Sequence, residues 1–409
     1  MGPAWTLLLI LLLAWCIFGL AVGVAVIGYH VATARVPPEI GHPLRFRFLH
    51  CVCLLVVCWG LIFEKMGLCS MAKFTRFMHD LNVRRQDPAL HITNTCFGPV
   101  PVRVYQPKAR APGPRCGIIF CHGGGIVLGS LDFYQKICCY LARECDAVLL
   151  SIGYRLSPEH KCPTGLEDCL RASEHFLKTL KDYDVDPARL VAMGDSVGGS
   201  LATAICQDFV CRPGLPRLRA QVLIYPFLQG VDFQLPSFQQ NQSVPPLNQF
   251  LTVYCVTTYL GVDSTLIEAV SKGAHVSPEM RTKLRRWLGM DNLPEKFTKG
   301  YRPPRPAPFR EDVYQVVKQV FASTISPLLA EDDIISQLPE TCLISCQFDS
   351  LRDDGLLYKK RLEDHGVPLT WHHMEDGFHG VINTFDIGLA SLPCGKRILD
   401  LVVGFVKGL

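Results

Sequence analysis

The sequence predicts an α/β fold: a mostly parallel central sheet flanked by helices, with a helical cap and an N-terminal transmembrane anchor. Short apolar runs typical of buried strands alternate with helical stretches, and this alternation favours a parallel sheet. The clearest pair is the run 190–193, followed by the alanine-rich, proline-free stretch 200–209. At 409 residues, the chain is long enough for one large α/β domain with additional segments.

The N-terminal segment from Ala4 to Tyr29 is continuously apolar and contains no charged residue. About 20 such residues span a bilayer, whereas the apolar region of a cleaved signal peptide has about 7–15. We therefore interpret residues 1–30 as an uncleaved signal anchor and not as a cleaved signal peptide. The shorter apolar stretch from Phe48 to Phe63 contains His50. It is interpreted as a membrane-contacting lid helix within 31–90, a region of linker and cap helices, and not as a second span.

Composition excludes one class of partner. The net charge is only +4, and no basic cluster is interleaved with aromatic residues, so no nucleic-acid partner is expected. Hydrophobic residues make up 49% of the chain, with the excess near the N-terminus. This distribution is consistent with a membrane partner.

Two glycine-rich motifs predict a nucleophilic serine and its oxyanion hole. His122 precedes Gly123–Gly125, a run whose backbone N–H groups could bind an oxyanion. Some seventy residues later, Ser196 occupies the centre of a G-x-S-x-G sequence, the strand-to-helix turn that exposes a nucleophile. The N–H of Val197 would lie at the helix N-terminus. The competing interpretation is an ordinary helix N-cap serine.

Chain order then indicates the acid and the base of a catalytic triad. In enzymes whose nucleophile lies on a G-x-S-x-G turn of this kind, the order along the chain is nucleophile, acid, histidine. Asp349 follows the apolar run 341–346, so it lies at the carboxyl end of a predicted strand. His379 lies in the loop after a further predicted strand at 368–374. These two residues are the predicted acid and base.

Other acids and histidines nearby compete for these roles. Asp353 and Asp354 are interpreted as first-turn residues of a helix over 355–365, where the helix dipole stabilises carboxylates. His372 and His373 lie within the predicted strand and are interpreted as structural. Because no matching Cys/His spacing lies near them, no metal site is predicted, and the proposed chemistry requires no cofactor.

These motifs resemble those of the hormone-sensitive lipase branch of the α/β-hydrolase family, and within it the arylacetamide deacetylase-like membrane esterases of vertebrates. The resemblance runs from about Gly98 to the C-terminus, and its acid and histidine loops also match. The motifs that carry it are His122–Gly125, Tyr154–Glu159, Asp184–Pro187 and Gly194–Gly199.

The resemblance implies a nucleophile at Ser196, an acid at Asp349 and a base at His379, acting on a lipophilic ester or amide. The implied oxyanion hole consists of N–H groups from Gly123, Gly124, Gly125 and Val197. The family usually has alanine where Val197 and Ser157 stand, so we expect a narrower acyl pocket beside the nucleophile.

The segment 154–159 is interpreted as a support beneath the site. Arg155 and Glu159 have the spacing of a turn-stabilising ion pair, and we expect them to pair with each other. A long insertion over about 230–335 is expected to form a cap on the catalytic domain, which is assigned to residues 91–409.

Signals for membrane orientation conflict. No lysine or arginine precedes the first apolar segment, whereas Arg35, Arg45 and Arg47 follow it, which favours a cytosolic catalytic domain. The resembling family faces the lumen of the endoplasmic reticulum. Asn241-Gln-Ser is a glycosylation sequon, which supports the lumen, and Asn241 is the predicted glycosylation site. A single-pass type II protein of the endoplasmic reticulum membrane, with a luminal catalytic domain, is therefore predicted.

The sequence as a whole predicts a membrane-anchored serine hydrolase that cleaves carboxylic esters or amides. The alternative is a non-catalytic ligand-binding protein on the same fold, as in the plant gibberellin receptor, which lacks a catalytic histidine. All three triad residue types are present here, and this favours the enzyme.

Overall fold

A computed structural model describes residues 3–34, 36–81 and 87–409 of the chain. The strands are β1 (Leu90–Phe97), β2 (Val100–Pro107), β3 (Arg115–Cys121), β4 (Ala147–Ile152), β5 (Val185–Asp195), β6 (Ala220–Ile224), β7 (Glu340–Phe348) and β8 (Leu369–Phe378). The helices are α1 (Pro3–Thr33), α2 (Pro43–Lys65), α3 (Met71–Asp80), α4 (Gln135–Glu144), α5 (Thr164–Lys178), α6 (Val197–Val210), α7 (Pro236–Gln240), α8 (Gln249–Leu260), α9 (Ile267–Ser271), α10 (Pro278–Leu288), α11 (Glu295–Thr298), α12 (Glu311–Val317), α13 (Asp332–Ile335), α14 (Arg352–Asp364) and α15 (Pro393–Lys407).

The strands form one sheet in the order β1-β2-β4-β3-β5-β6-β7-β8. From β4 to β8 every neighbouring pair is parallel, whereas β2 pairs antiparallel with both β1 and β4. The residues of β4 and β6 are buried throughout, because helices cover both faces of a parallel sheet. The predicted α/β-hydrolase fold, with its mostly parallel sheet, is confirmed.

The strands predicted around the site lie close to their expected positions. The run 190–193 is the second half of β5, and the stretch 200–209 lies in α6. The run 341–346 falls in β7, and the run 368–374 overlaps β8, which begins at Leu369 and extends to Phe378. Because β5, β7 and β8 run parallel, their carboxyl ends meet at the same edge of the sheet.

A helical insertion joins β6 to β7 and contains α7 to α13. Within this insertion the apolar stretch 241–259 is only partly helical, and its helix, α8, begins at Gln249. Residues 241–248 form turns instead. This stretch contains the pair Pro245-Pro246, and proline cannot donate the backbone hydrogen bonds that a helix interior needs.

Two N-terminal helices, α1 and α2, are long and apolar enough by length and composition to cross a membrane. The side chains of α1 are almost all exposed, and α1 packs on α2 through Trp59, whose ring contacts those of Trp15 and Phe18. Arg35, one of the three arginines that follow the first apolar segment, lies outside the described residues. The two helices support membrane anchoring but do not fix its orientation.

All 19 cysteines lie among the described residues, and none of them forms a disulfide there. Most of those in the sheet and its covering helices are buried, including Cys116, Cys138 and Cys342, whereas Cys96 in β1 is exposed. The fold is therefore stabilised by its apolar core and hydrogen bonds, without covalent cross-links in this part of the chain.

Candidate active site

Ser196 lies on a sharp turn between β5 and α6. Its backbone has φ 56° and ψ −125°, a conformation that non-glycine residues seldom adopt. The turn is tight enough to require glycine on both sides. A Cβ on Gly194 would lie 2.2 Å from the carbonyl oxygen of Gly198, and one on Gly198 would lie 2.1 Å from that of Cys121. This sharp turn exposes the serine hydroxyl above the edge of the sheet.

The structure brings the three predicted triad residues together. His379 Nε2 lies 2.8 Å from Ser196 Oγ, and His379 Nδ1 lies 2.9 Å from Asp349 Oδ2. Asp349 is fully buried, and its other oxygen, Oδ1, accepts a hydrogen bond from the N–H of Leu351 at 2.7 Å. With the Nδ1 proton held by the carboxylate, Nε2 is free to accept the proton of the serine hydroxyl.

The two competing acids have other partners. Asp353 is buried, forms an ion pair with Arg352 at 2.9 Å and accepts the N–H of Ser237. Asp354 accepts hydrogen bonds from the backbone N–H and the side-chain amide of Gln229, and burial raises its pKa to about 7. Both lie in the first turn of α14, as predicted, but their partners are buried groups, and helix-dipole stabilisation is not their main role.

The glycine run 123–125, which we call the oxyanion loop, departs from the prediction at Gly123. Its N–H donates to Asp195 Oδ1 at 2.8 Å and lies 3.2 Å from Tyr134 Oη. The N–H is therefore already satisfied, and the assignment of Gly123 to the oxyanion hole is wrong. Within the described residues, the N–H groups of Gly124 and Gly125 form no such hydrogen bond.

Gly124 and Gly125 both have positive φ, at 112° and 64°, where glycine is strongly favoured. A Cβ on Gly124 would lie 2.3 Å from the carbonyl oxygen of Leu128. A Cβ on Gly125 would lie 2.6 Å from Cys255 Sγ. Both N–H groups remain candidates for the oxyanion hole, together with that of Val197, whose side chain is largely buried.

Asp195 is a functional residue that sequence reasoning missed. Its carboxylate accepts the Gly123 N–H and the hydroxyl of Tyr134, at 2.9 Å for the latter. Burial raises its pKa to about 6. It joins the nucleophile turn to the oxyanion loop and thereby fixes their relative position. The only sequence signal was an acidic residue next to the nucleophile.

His122 supports the loop from beneath. Its ring stacks on that of Tyr154 with centroids 4.3 Å apart, and its Nδ1 lies 2.7 Å from the carbonyl oxygen of Gly123. Burial lowers its pKa to about 4, so the ring is neutral at pH 7. A neutral ring among aromatic side chains fills space and does not transfer protons here.

The predicted ion pair between Arg155 and Glu159 does not form. Arg155 instead makes a bidentate pair with Asp168, with both N···O distances at 2.8 Å. Glu159 pairs with Arg76 of α3 at 3.1 Å. The segment still has a supporting role, but its partners are distant in sequence, so local spacing could not identify them.

Asn241 is not placed where a glycan could be attached. Its side chain is only 3% exposed, and Nδ2 donates to the carbonyl oxygen of Asp349 at 2.9 Å. A glycan on this nitrogen would have to occupy the protein interior. The prediction of glycosylation at Asn241 is therefore wrong for this fold, and the residue instead holds the loop that carries the triad acid.

Among the described residues, no cluster of three or more His, Cys, Asp or Glu side chains has the arrangement of a metal site. His373 contacts Ser345 Oγ through Nδ1 at 2.9 Å and Gln347 Oε1 through Nε2 at 3.0 Å. Burial lowers its pKa to about 4. These contacts support the structural interpretation of His373.

Comparison with known proteins extends this description. Residues 118–285 and 302–383 match the model of a family described by its alpha/beta hydrolase fold. The chain belongs to this family. It is 50% identical to human arylacetamide deacetylase-like 3 over 406 residues, covering 99% of this chain and all of that protein. It is also 38% identical to mouse neutral cholesterol ester hydrolase 1 over 331 residues, covering 77% of this chain and 81% of that protein.

Among solved structures, the chain resembles the thermostable carboxylesterase EstE1, cloned from a metagenomic library. The TM-score is 0.62 at 23% identity, covering 82% of this chain and 97% of that one, which supports the fold. The resemblance to the arylacetamide deacetylase-like proteins is confirmed, as is the prediction that the chain is a hydrolytic enzyme.

Proposed function

We propose that this protein is a membrane-anchored serine hydrolase that cleaves lipophilic carboxylic esters or amides. The observation that carries the proposal is the continuous hydrogen-bonded chain from Ser196 Oγ through His379 to Asp349, with distances of 2.8 and 2.9 Å. Such a chain turns a weakly nucleophilic hydroxyl into an attacking group.

In this mechanism, Ser196 Oγ attacks the substrate carbonyl while His379 Nε2 takes the hydroxyl proton. The buried carboxylate of Asp349 stabilises the imidazolium that forms. His379 then protonates the leaving alcohol or amine. In the second half, a water molecule attacks the acyl-serine, His379 takes its proton, and the acid product leaves as Ser196 regains its hydrogen.

The tetrahedral intermediates carry a negative oxygen, which the N–H groups of Gly124, Gly125 and Val197 would stabilise. The donation from Gly123 to Asp195 orients this loop without using one of those three groups. Removing a single oxyanion donor typically lowers kcat about 10²–10³-fold, so the rigidity of this loop bears directly on the rate.

The substrate class rests on the relatives and on the apolar N-terminal helices. The relatives are named as a deacetylase-like protein and a cholesterol ester hydrolase, so ester and amide carbonyls both fit. A non-catalytic binding protein would not require the strained serine conformation or the aligned histidine, which favours the enzyme over this alternative.

For membrane orientation, we propose α1 as a single-pass type II anchor of the endoplasmic reticulum membrane, with the catalytic domain in the lumen. The support is family resemblance, because the buried Asn241 gives none. Intact microsomes treated with protease test the orientation. Protection of the domain that carries Ser196 is expected, and its digestion would place that domain in the cytosol.

The catalytic proposal is tested with a fluorophosphonate probe and p-nitrophenyl acetate on the full chain. Ser196→Ala should abolish labelling and lower kcat by about 10⁶. Ser173→Ala is the matched control, because Ser173 is a buried serine outside the triad and its hydroxyl has no partner among the described residues. Labelling that survives in Ser196→Ala, or a folded wild type that is neither labelled nor active, would overturn the proposal.

A further inference from the structure

Large apolar side chains are exposed on three elements that lie outside the sheet. They are found on the turn between α2 and α3, on the outer face of α3 and at the start of α8. We call this set the apolar rim, and it comprises Met66, Leu68, Phe77, Leu81, Phe250 and Leu251. Phe77 and Phe250 are 60% and 63% exposed, so neither is covered within the described chain.

The elements that carry the rim contact the oxyanion loop directly. On α3, Arg76 Nε donates to the carbonyl oxygen of Val127 at 2.8 Å, just beyond the loop glycines. On α8, Cys255 Sγ lies against Gly125, one helical turn after Leu251. Whatever covers the apolar rim is therefore adjacent to the reacting centre.

The tip of α2 lies near α8 as well. Burial raises the pKa of Tyr254, and the Glu64 carboxylate raises it further, so the two side chains are close enough to interact. Glu64 also accepts the N–H of Met71 at the start of α3, at 2.9 Å. The turn 66–70, α3 and α8 therefore lie close together beside the oxyanion loop.

Helix α2 lies along the catalytic domain. At its N-terminal end, Arg45 Nη1 donates to the carbonyl oxygen of Ser391 at 3.1 Å, and the ring of Phe46 packs on Phe378. At the other end, its contacts are with α3, which is itself held by the oxyanion loop. With 23 residues, α2 is about 35 Å long. A helix held to the same domain at both ends cannot carry the chain across a bilayer.

The occupant of this surface is indicated by α1. That helix has no charged residue, and almost all of its apolar side chains are exposed, so it requires hydrocarbon around it. It packs directly on α2 through Trp59. Lys65 and Lys73 border the rim, as basic side chains do at a membrane surface.

We propose that the apolar rim docks on the bilayer in which α1 is anchored, so that α2 lies along the membrane surface and lipophilic substrate reaches the oxyanion loop directly from the lipid. This rests on the proposed function for its substrate class. It adds a defined lipid-contacting surface of six side chains.

The kinetic test uses the full chain with α1 intact and the double variant Phe77→Ser/Phe250→Ser. Val316→Ser is the matched control, because Val316 is an exposed apolar residue on α12 that is not part of the rim. The substrates are p-nitrophenyl palmitate in phosphatidylcholine vesicles and p-nitrophenyl acetate in solution. The double variant should lose about tenfold or more in kcat/KM on the vesicle substrate, and less than twofold on acetate. The control should keep both rates.

A second measurement does not depend on activity. A photo-crosslinking p-benzoylphenylalanine at position 77 or 250 should label alkyne-tagged phosphatidylcholine, whereas the same group at position 316 should not. Equal labelling at all three positions, or equal losses on both substrates, would overturn the proposal. A wild type that crosslinks as expected but hydrolyses neither ester would refute the proposed function. It would still support the proposal that the apolar rim contacts the bilayer.

Discussion

Cys255 lies so close to Gly125 that even a methyl side chain at position 125 should lower kcat. In Gly125→Ala, the new Cβ would lie 2.6 Å from Cys255 Sγ and 3.0 Å from Cys255 Cβ. The first distance is too short for any real contact, so the oxyanion loop or α8 must move. The backbone φ of 64° adds about 1–2 kcal/mol of strain for an L-residue.

A shift of a few tenths of an ångström misaligns an oxyanion donor without removing the nucleophile. Loss of one such donor lowers kcat about 10²–10³-fold, and we expect Gly125→Ala to approach the lower figure. KM should change little, because the lost interaction forms mainly in the transition state. The assay is p-nitrophenyl acetate hydrolysis, with fluorophosphonate labelling to count intact sites.

The double variant Gly125→Ala/Cys255→Ala separates the clash from the backbone strain. Removing Sγ leaves only the 3.0 Å contact, so most of the lost rate should return. Gly124→Ala is the matched control, because its Cβ would meet the backbone oxygen of Leu128 at 2.3 Å. The Cys255→Ala change therefore cannot rescue it. A double variant no faster than Gly125→Ala would refute the steric reasoning.

Three further predictions follow from the site. Asp349→Asn should lower kcat by up to about 10⁴-fold. Asp353→Asn should instead mainly lower the free energy of unfolding, by about 3–5 kcal/mol, because it leaves the buried Arg352 charge unpaired. Measuring kcat and thermal unfolding for both variants checks this, and the reverse pattern would mean that the triad acid is misassigned. The pKa of Asp195, about 6, exceeds the ordinary value of 3.8, so the carboxyl favours the folded state below about pH 4 and this advantage is lost as pH rises through 6. The stability of Asp195→Asn relative to wild type should therefore rise between pH 4 and pH 8, on the order of 3 kcal/mol, and equal differences at both pH values in thermal unfolding would contradict it. Endoglycosidase H should leave the electrophoretic mobility of the wild type unchanged, because the only amide nitrogen of Asn241 is buried and bonded; a shift that Asn241→Gln abolishes would show that this nitrogen is accessible.

The sequence predicted those features that local pattern and chain order determine. The G-x-S-x-G turn and the apolar runs before Asp349 and His379 each identify a strand end, and parallel strands bring their carboxyl ends together. The three side chains therefore meet even though about 180 residues separate the first from the last.

The errors concern contacts between segments that are distant in sequence. The role of Gly123 depends on Asp195, which is next to it only because β3 pairs with β5. The partners of Arg155 and Glu159 come from α5 and α3. A sequon is defined by three consecutive residues, but the burial of Asn241 depends on the loop after β7. No local pattern contains this information.

The unpaired cysteines have a consequence for where the protein can reside and how it can be handled. Thiol–disulfide exchange requires the thiolate, and burial raises the pKa of Cys116 to about 11 and those of Cys145 and Cys342 to about 12. At pH 7, roughly one in 10⁵ of the latter two thiols is ionised. The core is thereby protected against oxidants, so the enzyme can keep free thiols in the oxidising lumen proposed for it, and reducing agents added during purification have no structural bond to break among the described residues.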